Sequence, residues 1–278
     1  MKLVGKMSFE DTGTAASGAM ACRYGHSKLP VRGPRREIGG HYVACLGSSE
    51  TYGRFVTRPF ADLLEETLER PCINLGSINA GLDSFVTDDD LLEIAARADV
   101  TVVQLPGAQD LSNRFYRVHP RRNDRFLEAT PLLKAVYRDM DFTEFHFNRH
   151  LMAALERVSS ERFEAVREEL QRLWLSRMEL LIETLKGRVI LLWLRYTDNG
   201  VGDYGSGPYL VTPDMVHELE SKVQSVVQVP VHVAGGSGEL DTMDYGPLQA
   251  PAAAHSIGPE SHARIARHLG REIRSGAG

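Results

Sequence analysis

The stretch "YVACLGSSETYGRFV", Tyr42 to Val56, sets an apolar run against a glycine, two serines and a second glycine. A short, wholly apolar run ended by glycine is a buried-strand signal. Apolar residues at helical spacing follow in "RFVTRPFADLLEETLE", which predicts a helix. Ser49 therefore stands at a strand-to-helix junction. Two readings are open there: a nucleophile close to free helix N–H groups, or a serine that caps the helix.

Working outward, the same strand signal recurs in "PCINLG" (71–76), "VTVVQL" (100–105), "RVILLWLR" (188–195) and "VPVHVA" (229–234). Between these runs lie helical patterns. "TDDDLLEIAARAD" (87–99) opens on Thr87 as a cap, and residues 126–186 read as one long helical section. The last helix of that section is expected to start at Ser159 or Ser160 and to stop at Gly187. "TPDMVHELESKVQ" and "GPESHARIARHLGREI" complete the set. Short apolar strands alternating with helices predict an α/β fold: a three-layer α/β/α sandwich on a central, mainly parallel five-stranded sheet, with a helical insertion after the third strand. Residues 1–40 read as an irregular basic arm packed on the domain formed by 41–278.

Composition narrows the function classes. The 278 residues are 42% hydrophobic and 25% charged, with a net charge of −5. That balance does not call for nucleic acid or a membrane surface as partner. Three cysteines, Cys22, Cys45 and Cys72, form no CxxC pair, which argues against disulfides or a cysteine zinc site and for a reducing cytoplasm. The N-terminus has no apolar signal-peptide core, and "VILLWL" (189–194) is too short to span a membrane. The ten histidines show no HxH or HExxH spacing, so no metal is expected. "GSGPYL" and "GGSGEL" lack the GxGxxG spacing, so no cofactor is expected either.

Parallel sheets bind ligands at the carboxyl ends of their strands, which singles out the loops after Leu46, Leu75, Leu105, Leu194 and Val233, and the first three carry candidate residues. In "GSSETYG", Ser49 is the reactive candidate. In "NLGSINAGLDSF", Gly76 and Gly81 bracket Asn79, and a glycine N–H there is a candidate oxyanion donor beside a substrate-binding Asn79. In "PGAQDLSNRFYRVHPRRNDRF", Gln109 offers a side-chain amide, and Arg114, Arg117, Arg121, Arg122 and Arg125 follow it closely. Guanidinium forks suit carboxylate, phosphate or sulfate; the competing reading is ion pairing with acidic helices.

Together the loops resemble the SGNH (GDSL-type) hydrolase superfamily. Its first block, Gly-Asp-Ser-x-Thr-x-Gly, is matched by Gly47-Ser48-Ser49-Glu50-Thr51-Tyr52-Gly53, with Ser48 in place of the aspartate. Its third block, Gly-x-Asn-Asp, is matched by Gly107-Ala108-Gln109-Asp110, with Gln109 in place of the asparagine. The resemblance implies Ser49 as nucleophile and an oxyanion hole from Ser49, Gly81 (Gly76 second) and Gln109. The last block, Asp-x-x-His, falls near "AAAHSIGPESHARIA" and implies His255 as base, with His262 the alternative. Ala252 stands where the aspartate is expected, so the orienting group is a backbone carbonyl, Glu239, Asp241 or Asp244. More narrowly, "CRYGHSKLPVRGPRR", "GSSETYGRFV" and "SNRFYRVHPRRNDRF" resemble an SGNH-like bacterial family of unassigned function, seen mainly in marine alphaproteobacteria.

The functions implied are, first, a serine esterase or O-acyl transfer enzyme acting on an anionic or carbohydrate-like ester. The second is a non-hydrolytic binding protein or transferase for a sulfated or phosphorylated ligand held by the arginines. A third possibility gives the long helical insertion, with Trp174 and Leu175, to a homodimer interface; covering the sheet is the expected role.

Overall fold

The computed structural model describes residues 21–197 and 208–276. The chain enters through two short antiparallel strands, β1 (Ala21–Cys22) and β2 (Val31–Arg32). There follow β3 (Val43–Gly47), α1 (Ser49–Tyr52), α2 (Phe60–Leu68), β4 (Cys72–Gly76), α3 (Leu82–Val86), α4 (Asp89–Ala96) and β5 (Val100–Gln104). After β5 come a hairpin of β6 (Tyr116–His119) and β7 (Arg122–Ala129), then α5 (Pro131–Val136), α6 (Asn148–Val158) and the 26-residue α7 (Ser160–Leu185). The chain closes with β8 (Arg188–Tyr196), α8 (Pro213–Glu220), β9 (Ser225–Val231), α9 (Ala234–Ser237), α10 (Ala250–Ala254) and α11 (Pro259–Ser275).

The central sheet is five-stranded and parallel throughout, in the order β4-β3-β5-β8-β9. Side chains alternate across a strand, so each apolar strand feeds two cores. Val43 and Cys45 point with Val100, Val102, Ile190 and Leu192 to one face, where Phe60 and Leu64 of α2 and Ile265 and Leu269 of α11 cover them. Ala44 and Leu46 point with Val103, Leu191 and Trp193 to the other, beneath Leu91 of α4, Val216 of α8 and the apolar stripe of α7. These are the three layers of the expected sandwich.

Trp174 of α7 is fully buried and donates from its indole N–H to the Pro106 carbonyl at 2.9 Å, so α7 here covers the sheet. In residues 21–40, Tyr24, Leu29 and Val31 are buried, and the Ser27 hydroxyl donates to Asp88 at 2.7 Å. Residues 1–20 of the expected arm lie outside the described residues, as does the first half of "GSGPYL". Among the described residues no helix is long and apolar enough to cross a membrane.

Several boundaries differ from expectation. The insertion after β5 opens with a β-hairpin rather than a helix, and β7 runs to Ala129. α7 is capped by Lys186, at φ +53°, one residue before the expected Gly187. Asp88, not Thr87, caps α4, by accepting the Leu91 N–H. The fifth strand starts at Ser225, because its pairing with β8 begins at Ile190 and so includes the polar residues before Val229.

Candidate active site

β3 ends in Gly47, and the chain turns at once into α1. Gln104, the last residue of β5, organises that turn. Its Oε1 accepts the Thr51 hydroxyl (2.6 Å) and the N–H groups of Ser48 and Thr51 (both 3.2 Å). Its Nε2 donates to Glu50 Oε2 at 2.8 Å, and the Tyr196 hydroxyl donates to Glu50 Oε1 at 3.1 Å. Gln104 thus satisfies the N–H groups that a capping side chain would otherwise take, and Ser48 makes no such bond. A Cβ on Gly47 would fall 2.1 Å from Thr51 Oγ1, so only glycine lets this turn close. α1 leaves through Gly53 at φ +66°. Arg32 clamps that exit, donating to the carbonyls of Tyr52, Gly53, Val56 and Thr57.

Ser49 is the first residue of α1 and is half-buried. Its hydroxyl donates to Asn79 Oδ1 at 3.0 Å, and its Oγ accepts the Asn79 N–H at 3.1 Å. Asn79 sits at φ +57°, a left-handed conformation that asparagine tolerates better than most residues. No acceptor among the described residues takes the Ser49 N–H or the Asn79 side-chain NH2. Two free donors therefore lie beside the hydroxyl.

The other expected donors are already engaged. The Gly81 N–H donates to Asn123 Oδ1 at 2.8 Å, which corrects its assignment to the oxyanion hole. The Gly76 N–H goes to Asn74 Oδ1 at 2.9 Å. Gln109 folds back: its Nε2 donates to Asp110 Oδ2 at 2.9 Å, and its Oε1 is buried without a partner. Asp110 is held by Asn148 at 2.9 Å, and burial, with Asp124 and Glu50 adding repulsion, raises its carboxyl to about 7.

The arginines do not converge. Arg114 pairs with Glu169 of α7 at 3.4 Å, Arg117 donates to its own loop at the Asn113 carbonyl, and Arg122 lies 3.9 Å from Asp124. These are the ion pairs and loop contacts of the competing reading. Arg121 alone, at the hairpin tip, is exposed and offers its guanidinium to no partner among the described residues.

Neither histidine is hydrogen-bonded to Ser49. His262 is fully buried on α11, stacked on Phe60, with Nδ1 accepting the Phe60 N–H at 3.0 Å. Burial, then the Arg32 charge, lowers its pKa to about 3, so the ring is a neutral packing element and Nε2 meets no acceptor. His255 is exposed just after α10. Its Nδ1 lies 2.8 Å from the Pro251 carbonyl; a carbonyl only accepts, so Nδ1 donates there and Nε2 is left outside that bond. The orienting group is thus a backbone carbonyl. Glu239 instead accepts the Glu260 N–H at 2.7 Å at the start of α11. The loop carrying His255 docks on the chain just after α1, through the cluster of Phe55, Val56, Ala234, Met243 and Ala253 and a bond from the Asp244 N–H to the Phe55 carbonyl at 3.0 Å.

Reading the sequence missed Asn123, Asn148 and Gln104. Gln104 carried a signal, being a polar side chain at the end of a largely apolar strand. The others carried none, because their partners are distant in sequence.

A family model described as "Domain of unknown function (DUF6473)" matches residues 7–277. No curated protein matches the sequence. Among solved structures the chain is similar to a G-D-S-L family protein from Desulfitobacterium hafniense DCB-2 (13% identity, 84% of this chain and 99% of that one, TM-score 0.42). It is similar also to Axe2, an acetylxylan esterase from Geobacillus stearothermophilus (15%, 86% and 96%, 0.41). A third is a family two carbohydrate esterase from Clostridium thermocellum in complex with cellohexaose (10%, 88% and 67%, 0.43). Likeness at this level says nothing of chemistry.

Proposed function

The chain belongs to the DUF6473 family, and from that premise we propose that it is an SGNH-type serine esterase or O-acyl transfer enzyme acting through Ser49. The observation that carries this reading is the Ser49 hydroxyl at a strand-end turn, gripped by Asn79, with neither the Ser49 N–H nor the Asn79 NH2 taken by an acceptor among the described residues. In the proposed reaction Ser49 Oγ attacks the ester carbonyl carbon and its proton passes to His255 Nε2. The two free donors hold the developing oxyanion, in the place first given to Gly81 and Gln109. The ester C–O bond breaks, the leaving alcohol takes the proton from His255, and water or a second alcohol then removes the acyl group from Ser49. His255 reaches Ser49 in this scheme by closure of the turn that follows α10.

The test is labelling by a fluorophosphonate, with hydrolysis of p-nitrophenyl acetate and an acetylated oligosaccharide measured alongside. Wild type is expected to label at Ser49 and Ser49→Ala to lose both label and hydrolysis. A Ser49→Ala protein with full hydrolysis overturns the reading.

One observation favours a second reading. The Ser49 hydroxyl is satisfied by Asn79 without any base, while the exposed Arg121 guanidinium has no partner among the described residues. In that reading the protein binds or transfers a sulfated or phosphorylated group. Binding of such a ligand that is lost in Arg121→Ala and kept in Ser49→Ala would select it.

A further inference from the structure

The side of Ser49 that faces the β6–β7 hairpin is held by an unbroken run of hydrogen bonds. The hydroxyl meets Asn79, and the Asn79 carbonyl accepts the Asn123 N–H at 3.0 Å. The Asn123 carbonyl accepts from the Asn148 side-chain amide, which also donates to Asp110 Oδ1 at 2.9 Å. Asp110 Oδ2 then accepts from Gln109 at 2.9 Å. Asn123 and Asn148 are both 0% exposed. We propose that Asn123 and Asn148 are positioning residues that transmit the protonation state of the Asp110 carboxyl to the Asn79–Ser49 pair. The consequence for acyl transfer rests on the reading of Ser49 above; the run of hydrogen bonds does not.

Asn123 sets where Asn79 points. Its Oδ1 gathers the Gly81 N–H (2.8 Å), the Ser84 N–H (3.1 Å) and the Ser84 hydroxyl (2.7 Å), so one side chain pins the whole turn after β4. Its own backbone carbonyl is tied to Asp110 through Asn148. The charged groups that face Asp110 are carboxylates, Asp124 on β7 and Glu50 on α1, and the Tyr116 phenol of β6 lies within their field. With burial they hold its proton to about 7, so both states are populated near neutrality.

The two states need different partners. A charged Asp110 accepts from both Asn148 and Gln109. A neutral Asp110 has a proton to place, and two buried oxygens without donors, Gln109 Oε1 and Asn148 Oδ1, sit on the very amides that hold it. Asn148 cannot turn over, because its NH2 also serves the Asn123 carbonyl. Gln109 can, presenting Oε1 to the proton. Protonation thus turns Gln109 and weakens the charge-assisted bond to Asn148, which releases tension on Asn123 and on the turn that carries Asn79.

The experiment follows the ¹⁵N amide signals of Asn79 and Gly81 from roughly pH 5 to pH 9, spanning the carboxyl's titration. Both are expected to titrate with a midpoint near 7 in wild type, and to lose that transition in the isosteric Asp110→Asn. Fluorophosphonate labelling of Ser49 is expected to share the midpoint and to slow about tenfold in Asn148→Ala. Flat amide signals in wild type, or a transition unchanged in Asp110→Asn, overturn the proposal. Titrating amides with a Ser49 that never labels support the positioning run and defeat the nucleophile reading instead. Normal labelling with no inflection overturns the transmission to Ser49.

Discussion

The two flanks of Ser49 sit at the same end of the sheet and are built in opposite ways. On the hairpin flank, Asn79, Asn123, Asn148 and Asp110 are joined by hydrogen bonds through the fully buried Asn123 and Asn148, and hardly any of these groups can shift without stranding another. On the loop flank, residues 234–258 are docked mainly by apolar side chains, His255 is exposed, and Leu248 is 98% exposed. A buried polar network commits a region to one arrangement, because an unpaired amide costs more than the bond it forfeits. An apolar docking with few hydrogen bonds opens far more easily. The difference puts the Asn79 NH2, a proposed oxyanion donor, on the rigid flank and the proposed base on the movable one.

The comparison breaks most visibly at Asn123. Asn123→Leu removes the acceptor of three donors, and at about 1–3 kcal/mol for each stranded group the loss is on the order of 3–9 kcal/mol. Thermal melting is expected to fall by roughly 10 °C or more in a chain of this size. A melting point within a degree or two of wild type would mean that the hairpin flank is not a committed structure. The loop flank makes the opposite prediction. His255→Ala is expected to leave stability within about 0.5 kcal/mol and to slow ester hydrolysis about a hundredfold or more. A large loss of stability there would show that His255 is part of the packing instead.

The rigid flank is also the one that the sequence concealed. The five strands were legible because each is a short apolar run, and the glycines and serines at their ends marked the turns. The hairpin was not, because Arg122–Ala129 is rich in Arg, Asn and Asp and its strand state is imposed by tertiary pairing. The resemblance put Gly81 forward as an oxyanion donor, but no local pattern announces that Asn123, 42 residues later, takes its N–H. His262 was legible in hindsight. With Ile265, Ala266, Leu269 and Ile273 it falls on the buried stripe of α11, at intervals of three, four, seven and eleven. That stripe marks a packed ring, whereas the absent aspartate three residues before His255 gave no hint that the Pro251 carbonyl would orient it.

Near each flank lies a buried titratable group with a strongly shifted pKa, His262 on α11 and Asp110 by the hairpin, and the two respond to pH in opposite directions. His262, packed beneath the exit of α1, takes a proton near 3 when folded against 6.5 ordinarily, through burial and then the Arg32 charge. The unfolded chain therefore binds more protons between those values. The His262 contribution is complete above 6.5 and is lost on acidification at about 1.4 kcal/mol per pH unit. Asp110 runs the other way. Its folded value near 7 lies above the ordinary 3.8, so its contribution is complete below 3.8 and is lost as the pH rises toward 7, at about the same rate. Between 3.8 and 6.5 the two slopes oppose and largely cancel. His262→Asn, which keeps an acceptor for the Phe60 N–H, should unmask the Asp110 slope and become more stable relative to wild type on acidification. Asp110→Asn should unmask the His262 slope and lose stability. Denaturant melts across this window check both; parallel wild-type slopes in the two variants would remove the contrast between the flanks.

The smallest expected effect is the most informative about ligand. Arg121 stands at the tip of the rigid flank but contributes nothing to its hydrogen bonds beyond its backbone N–H, which donates to His119 Nδ1 at 3.2 Å. Arg121→Ala keeps that N–H, so stability should change by no more than about 0.5 kcal/mol. Arg114, Arg117 and Arg122 do not allow the same inference, because each is already held by Glu169, the Asn113 carbonyl or Asp124. Any weakening of sulfate- or phosphate-ester binding in Arg121→Ala, with an unchanged melt, therefore reports a lost ligand contact and not a loosened hairpin. A melt that falls by several degrees would place Arg121 inside the rigid flank, and the boundary between the committed network and the ligand-facing surface would have to be drawn further out.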